Sequence, residues 1–467
     1  MASMFVARAD ARTVPIEAIE TGKFPTWLRG ADASVKAWVE STGFNAEAGS
    51  VSLVAGAGGK LARVLVGVEA GDPIWAFAGL PGQLPTEAGR SYALSTRLKP
   101  PAATRAALGW ALGSYGFTRY KKPKRTPAAL VWPIGVDRAR VEREAEAIAM
   151  VRDLINTPAG DLGPKELAEA ARGLARKHGA KFSVIVGDDL LRRNYPSIHA
   201  VGRAASNGPR LIDIIWGRPN DPKVTLVGKG VCFDSGGLDI KSSANMLMMK
   251  KDMGGAAHVL GLGALIMGAR LPVRLRMLVP AVENMIAGNA FHPWDIIRTR
   301  KGITVEIGNT DAEGRIILCD ALAEAVTEKP ELLIDFATLT GAARVALGPE
   351  LPVLFCNNER LAGDLLRHGK AENDQIWRLP LWQPYRKMLE SKAADISSTG
   401  SSPHAGSITA ALYLESFVDK AIPWAHFDIM AWNVRAMPGR PEGGEAQGMR
   451  AVYALIAERF GRRRKHS

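Results

Sequence analysis

Residues 309–320 read NTDAEGRIILCD, and the types and spacing of this stretch can do chemistry. Asp311 and Glu313 supply two carboxylates one residue apart, Arg315 adds a cation, and only then does an apolar run begin. An ordinary helix start uses one acid at its first turn. It does not call for two acids and a guanidinium. Two further acids lie in Gly-rich surroundings: Asp234 in VGKGVCFDSGGLDIK (227–241) and Asp252 in MMKKDMGGAA (248–257). Four carboxylates brought together repel one another unless cations bind. Two divalent ions would balance them, and carboxylates bridging paired ions are a recurrent hydrolytic arrangement. Oxygen ligands suit Mg, Mn or Zn and do not choose among them.

Each residue also has a simpler account. Asp311 or Asp252 can cap the helix that follows it, and Asp234 can close an Asp-Ser-Gly turn. Lys229 and Lys241 can be solvated surface lysines, and Arg315 can pair with Asp311 or Glu313. Other chemistries fit poorly. No GxxxxGK[ST] loop is present, no GxGxxG opens a helix after the first strand, and DSGG is not the GxSxG elbow of a serine nucleophile.

These residues need elements to position them. From about 155 onward, apolar strand-like runs (FSVIVG, KVTLVG, VRLRMLVPAVE, ELLIDFATLTG, LPVLFCNN, WAHFDIMAW) alternate with helical segments such as DMGGAAHVLGLGALIMGAR and IILCDALAEAVTEK. The pattern implies an α/β fold: a mixed, mainly parallel sheet sandwiched by helices, whose chemistry collects at the carboxyl ends of its strands. Residues 1–135 alternate β-like runs (VSLVA, LARVLVGV, PIWAFAGL, PAALVWPIG) with one helical stretch near 102–115. The expected organisation is an N-terminal α/β domain over 1–138, a linker helix over 139–158 and a C-terminal catalytic domain over 159–467. A chain of 467 residues fits two domains.

Composition narrows the class. The hydrophobic fraction of 47% is that of a soluble globular protein, and no apolar stretch is long enough to span a membrane. The start, MASMFVARADART, lacks a basic segment leading into an apolar core, so no secretory signal is expected and the cytoplasm is the expected compartment. Cys232, Cys319 and Cys356 lie far apart in apolar segments, as buried thiols would. Among the eight histidines, His258, His404 and His426 read as satisfied core residues. A formal charge of +13, part of it in RYKKPKR (119–125) and RRRK (462–465), leaves nucleic-acid binding as an alternative, although no reading motif accompanies it. A metal-dependent phosphoesterase would share the carboxylate cluster.

NTDAEGRIILCD resembles the signature of the leucyl aminopeptidase (cytosol aminopeptidase) family. The likeness extends to VGKGVCFDSGGLDIK, MMKKDMGGAA, VENMIAGNAFHPWDII (282–297) and ATLTGAARVALG (337–348), and more weakly to NTPAGDLGP, ALGSYGFTRYKK and WAHFDI. It runs in one order from about 105 to 432. The resemblance implies a two-metal aminopeptidase acting on peptides and assembled as a homohexamer. Lys229 and Asp252 would hold one ion, Asp311 the other, and Asp234 and Glu313 would bridge both. Lys241 would stabilise the oxyanion, and Arg315 would hold a bicarbonate that serves as general base. Met249, Thr338 and Gly341 would line the pocket for the first side chain and suit Leu- or Met-like residues. Two stretches depart from the family pattern at the pocket rim and bear on that preference. SSTGSSPHAG replaces the usual Asn-x-Gly-Gly, and Met430–Ala431 replaces a small Ala-Gly pair.

Overall fold

The computed structural model describes residues 4–87, 89–123 and 125–461, so the basic stretch 462–465 lies outside the described residues. The chain forms two compact units. One comprises Met1–Ala149 with Arg435–Glu442, the other Met150–Val434 with Gly443–Ser467. Along the sequence the first boundary falls within the helix Arg138–Asn156.

The first unit contains a six-stranded sheet of β1 (Phe5–Val6), β2 (Val14–Glu20), β3 (Val51–Ala55), β4 (Leu61–Val68), β5 (Ser91–Leu94) and β6 (Ala129–Val131), in the order β1-β6-β5-β2-β4-β3. Only the β3–β4 pair is antiparallel among these strands. PIWAFAGL, expected as a strand, is instead part of the helix Ile74–Gln83. A short continuous apolar run fits a buried strand and a buried helix equally well. Packing decides here, because Phe77 and Leu80 join Ala106 and Trp110 of the Pro100–Gly113 helix in one core.

The second unit is built on β7 (Lys181–Val186), β8 (Arg210–Trp216), β9 (Lys223–Gly228), β10 (Gly230–Asp234), β11 (Arg274–Asn284), β14 (Leu332–Ala337), β15 (Val353–Cys356), β16 (Trp377–Arg378) and β18 (Trp424–Asp428), with β12 (Ile296–Arg298), β13 (Thr304–Glu306) and β17 (Ile396–Ser397) in a small separate sheet. The main order is β16-β15-β18-β14-β9-β11-β8-β7, and β10 continues beside the far half of β11. The central strands β18, β14, β9 and β11 run parallel, while the β15–β18, β11–β8 and β8–β7 pairs are antiparallel. The sheet is thus mixed with a parallel centre, as expected. Every residue of β14 is buried, because helices cover both faces. Leu333 and Ala337 join Ile316 and Ile317 of the helix Glu313–Ala325. Phe336, whose side chain points to the opposite face, stacks on His258 of the helix Gly254–Gly268 at 5.4 Å.

Candidate active site

The site forms where β9, β10, β11 and β14 end. Lys229 follows β9, Asp234 ends β10, and Asn284 ends β11. Asp252 sits in the 3-10 turn Met249–Met253 that leads into the helix Gly254–Gly268, and Thr338 follows β14. Asp311 lies in the 3-10 turn Thr310–Ala312, which runs into the helix beginning at Glu313. Neither Asp252 nor Asp311 caps the helix after it. The residues at those N-caps are Met253 and Ala312, without side-chain caps, and the cap of the short Thr310–Ala312 turn is Asn309, which accepts the Asp311 N–H at 2.6 Å.

Close backbone approach brings the segments together. A Cβ on Gly255 would lie 2.0 Å from the Phe336 carbonyl oxygen and 2.8 Å from the Lys229 nitrogen, so only glycine lets this helix start meet β9 and β14. A Cβ on Gly314 would lie 2.8 Å from Lys229 Cε, so the glycine of NTDAEGR is the slot that admits the lysine.

Lys229 is 3% exposed, and its Nζ lies 2.7 Å from Asp252 Oδ2 and 2.8 Å from Glu313 Oε1 while donating to the Thr338 carbonyl at 2.8 Å. Lys241 Nζ lies 2.8 Å from Asp234 Oδ2 and also donates to Asp311 Oδ1. One oxygen each from Asp234, Asp252 and Glu313 fall within 4.8 Å of one another. The two lysines are therefore internal counter-ions rather than surface cations. Asp234 accepts from Gly236 N and from Asn284 Nδ2, both at 2.9 Å, so the Asp-Ser-Gly turn and the cluster coexist. Thr338 Oγ1 donates to Asp252 Oδ1 at 2.7 Å.

The electrostatics follow from this crowding. Burial and the Asp234 charge push Glu313 well above the usual carboxylate range, against the pull of Lys229. Burial and Asp234 likewise push Asp311 up to about 6, against Lys241. Burial opposes charge on Lys229, but Asp252, Glu313 and Asp234 outweigh it and raise its amine. Two buried oxygens, Glu313 Oε2 and Asp252 Oδ2, lack a hydrogen-bond partner, the latter having only its ion contact with Lys229. Such oxygens cost free energy unless a cation serves them, so these residues fit a metal site.

The remaining expected residues sit nearby or apart. Arg315 donates from Nη1 to the Ser398 carbonyl at 2.6 Å and has no ion pair with Asp311 or Glu313 among the described residues. Its Nε is buried and unpartnered, and burial lowers its guanidinium. Met249 is buried on the same turn as Asp252, while Gly341 is exposed at the start of the helix Gly341–Leu347. His258 is a satisfied core residue: its Nδ1 lies 2.6 Å from Gly254 O, and its Nε2 accepts from Gln447 N at 2.8 Å. His426 is buried against Asp335 with Nε2 unpartnered. His404, expected in the core, is exposed in the loop 398–405, where Pro403 and the serines leave nothing to cover it. The three cysteines are buried and free.

Sequence reasoning missed the supporting hydrogen-bonded frame. Asn284 joins Asp234 to the Thr310 carbonyl, and Asp239 receives Thr310 N at 2.7 Å. Asn284 ends β11, and Asp239 and Thr310 lie inside motifs already quoted, which was the available signal. Lys251 was also missed. It is 1% exposed beside Asp252, and burial pushes its amine down to about 8.

Comparison with known proteins gives this arrangement a family. The profile described as the cytosol aminopeptidase family, catalytic domain, matches residues 149–453, and that of the M17 aminopeptidase N-terminal domain matches 14–133. A probable cytosol aminopeptidase of Syntrophotalea carbinolica is 43% identical over 327 residues, spanning 69% of this chain and 65% of that protein. One from Roseiflexus castenholzii is 43% identical over 326 residues, spanning 68% and 66%. The chain thus spans just under two thirds of the length of these curated relatives. Among solved structures, the cytosol aminopeptidase of Coxiella burnetii superposes with a TM-score of 0.92 at 48% identity, covering 98% of this chain and 99% of that one. The bottromycin maturation enzyme BotP in complex with Mn gives 0.85 at 33% identity, covering 96% and 99%. No helix among the described residues is long and apolar enough to cross a membrane. With its strand-end carboxylates, its lysine pair and matches to both family domains in order, the chain belongs to the cytosol aminopeptidase family.

Proposed function

We propose that this chain is a metal-dependent aminopeptidase that releases N-terminal residues, Leu- and Met-like ones in particular, from peptides. One observation carries the reading. Lys229, Asp234, Asp252, Asp311 and Glu313 arrive from three separate segments and meet beside Lys241 at the ends of parallel strands. Lys229 and Asp252 would hold one divalent ion, Asp311 a second, and Asp234 and Glu313 would serve both. Carboxylate oxygens with a single amine nitrogen suit Mn, Zn or Mg. Lys229 ligates only after losing its proton, which a neighbouring dication favours. The ions supply Lewis acidity towards the scissile carbonyl and towards a water.

The chain's own residues do the rest. Lys241 keeps its proton and offers its ammonium to the oxyanion as the carbonyl becomes tetrahedral. Arg315, fixed from behind by the Ser398 carbonyl, would hold bicarbonate as the general base. Anchoring the free α-amine of a peptide in this acidic site fixes the scissile bond one residue in, which confines cleavage to the chain end. Met249 and Thr338 give the first side chain an apolar wall. By family relation the working form is a homohexamer in the cytoplasm. Nucleic-acid binding has the net charge of +13 on its side and no reading motif among the described residues.

The test is hydrolysis of leucyl-p-nitroanilide before and after chelation, with Mn or Zn restored. Activity should vanish and return. Glu313→Ala should abolish turnover with the fold intact. An equally active Glu313→Ala protein would refute the assignment, as would hydrolysis of aryl phosphates in place of aminoacyl anilides.

A further inference from the structure

Asn284 is the residue that β11 sets against Asp234. The two are register partners in the parallel β10–β11 pair, so they stand side by side on neighbouring strands. Asn284 is 0% exposed, and its Nδ2 donates to Asp234 Oδ1 at 2.9 Å and to the Thr310 carbonyl at 3.1 Å. Both partners are acceptors, so the orientation of the amide is fixed and both of its N–H groups are used. One bond ends on a carboxylate. The other ends on the residue immediately before Asp311. A single amide therefore ties these two carboxylate-bearing segments to each other.

The same amide decides which oxygen of Asp234 is free. Oδ1 accepts from Gly236 N at 2.9 Å as well as from Asn284, which occupies its lone pairs, while Oδ2 faces Lys241 Nζ at 2.8 Å. Oδ2 is thus the oxygen left to ligate. Thr310 is tied on its other sides too, since its Oγ1 donates to Gly236 O at 2.6 Å and accepts from Asp239 N at 2.8 Å. None of these bonds reaches the other half of the cluster. Asp252 and Glu313 meet there at Lys229 Nζ, and the Thr338 hydroxyl holds Asp252.

We propose that Asn284 is a positioning residue for one of the two ions: it orients Asp234 Oδ2, sets its spacing from Asp311, and so governs the ion that Asp311 would hold. The inference rests on the two-ion reading above. Removing the amide leaves the other ion with Lys229, Asp252 and Glu313 undisturbed. The Asp311 ion keeps only Glu313 in place. Loss of a hydrogen-bond partner behind a metal ligand weakens binding by about 10- to 100-fold, and here that loss should fall on one ion.

The experiment reads metal rather than turnover. Mn-loaded full-length wild type, Asn284→Ala and Thr338→Val are equilibrated with graded chelator, the retained Mn is counted, and electron paramagnetic resonance is recorded at each step. Wild type should hold two ions with the spin coupling of a close pair. Asn284→Ala should release one ion at roughly 10- to 100-fold lower chelator and keep the other as wild type does. The ion that stays should retain coupling to the Lys229 nitrogen. Thr338→Val removes the hydroxyl behind Asp252 and should weaken the nitrogen-coupled ion instead. Asn284→Ser serves if Asn284→Ala does not fold, because a hydroxyl on so short a side chain cannot span both acceptors. Two ions held as tightly as in wild type overturn the proposal. So do both ions weakened alike, which marks a general loosening, and the same ion weakened at Asn284 and at Thr338. A wild type that holds fewer than two ions would instead sink the two-ion reading, and this inference with it.

Discussion

Replacing Gly314 by Ala should separate stability from activity. The residue lies in the first turn of the helix Glu313–Ala325, and an added Cβ would stand 2.8 Å from Lys229 Cε and 2.9 Å from its Nζ. Ordinary contact begins at 3.4 Å, so Cε must retreat from 2.8 Å to at least that distance, by about 0.6 Å. The group that yields is the end of a flexible side chain, so the fold is not at risk. The helix itself gains, because Ala is favoured over Gly there by about 0.5–1 kcal/mol. The Lys229 amine, however, is held at 2.7–2.8 Å by Asp252, Glu313 and the Thr338 carbonyl. A retreat of that size takes it beyond good hydrogen-bonding range of at least one of them, roughly 3.2 Å. Misplacing a group at the reacting centre by up to 1 Å costs about 100-fold. Gly314→Ala should therefore melt at or above the wild-type temperature while kcat/KM for leucyl-p-nitroanilide falls about 10- to 100-fold and bound metal decreases. Calorimetry, metal analysis and steady-state kinetics on one preparation read all three. A variant with full activity and full metal content would show that the position of the Lys229 amine is immaterial, and would remove it from the proposed ligand set. A variant that lost stability and activity together would refute the claim that only a side-chain end has to move.

Other expectations follow from the same contacts. Lys241→Ala should lower turnover by about 100- to 1,000-fold while metal content holds, read by kinetics beside metal analysis; loss of metal would contradict an oxyanion role. Arg315→Ala should abolish any acceleration by added bicarbonate, and acceleration equal to wild type would remove that arginine from the general-base assignment. Burial pushes His258 down to about 4, below its unfolded value of 6.5. Its stability contribution is present above pH 6.5 and lost as pH falls towards 4, by up to about 3 kcal/mol, so His258→Gln should flatten the melting-temperature profile across that window. If the basic charge binds nucleic acid, duplex affinity should fall steeply with salt; absence of binding at low salt would discard that alternative.

The sheet was legible in the sequence because its strands are buried on both faces and read as continuous apolar runs. The same property hid PIWAFAGL, where an apolar run carries no periodicity and packing against Trp110 makes the helix. The acidic residues were legible because unusual carboxylates at strand ends stand out from ordinary caps. Their pairing was not. Nothing in the sequence says that Lys229 faces Asp252 and Glu313 while Lys241 faces Asp234 and Asp311, since that depends on where β9, β10 and two helix starts meet. Asn284, Thr310 and Asp239 escaped notice for a related reason. Their work is to hold loops by hydrogen bonds, which leaves no mark in composition. His404 was misplaced because an apolar segment downstream does not extend cover to the loop before it.

The paired lysines also bear on whether metal shapes the site or finds it ready. A cluster of four carboxylates without counter-ions would push its segments apart, and metal binding would then be coupled to folding, as in small zinc domains. Here Lys229 and Lys241 already offset part of that charge, each lying between two of the four acids. The segments are independently tied by Asn284, by Thr310 and Asp239, and by the close backbone approach at Gly255. The fold thus carries the acidic cluster on internal cations and a rigid frame. Chelation should silence the protein and leave its secondary structure and cooperative melt in place. Unfolding on chelation would show that these lysines cannot hold the acids alone.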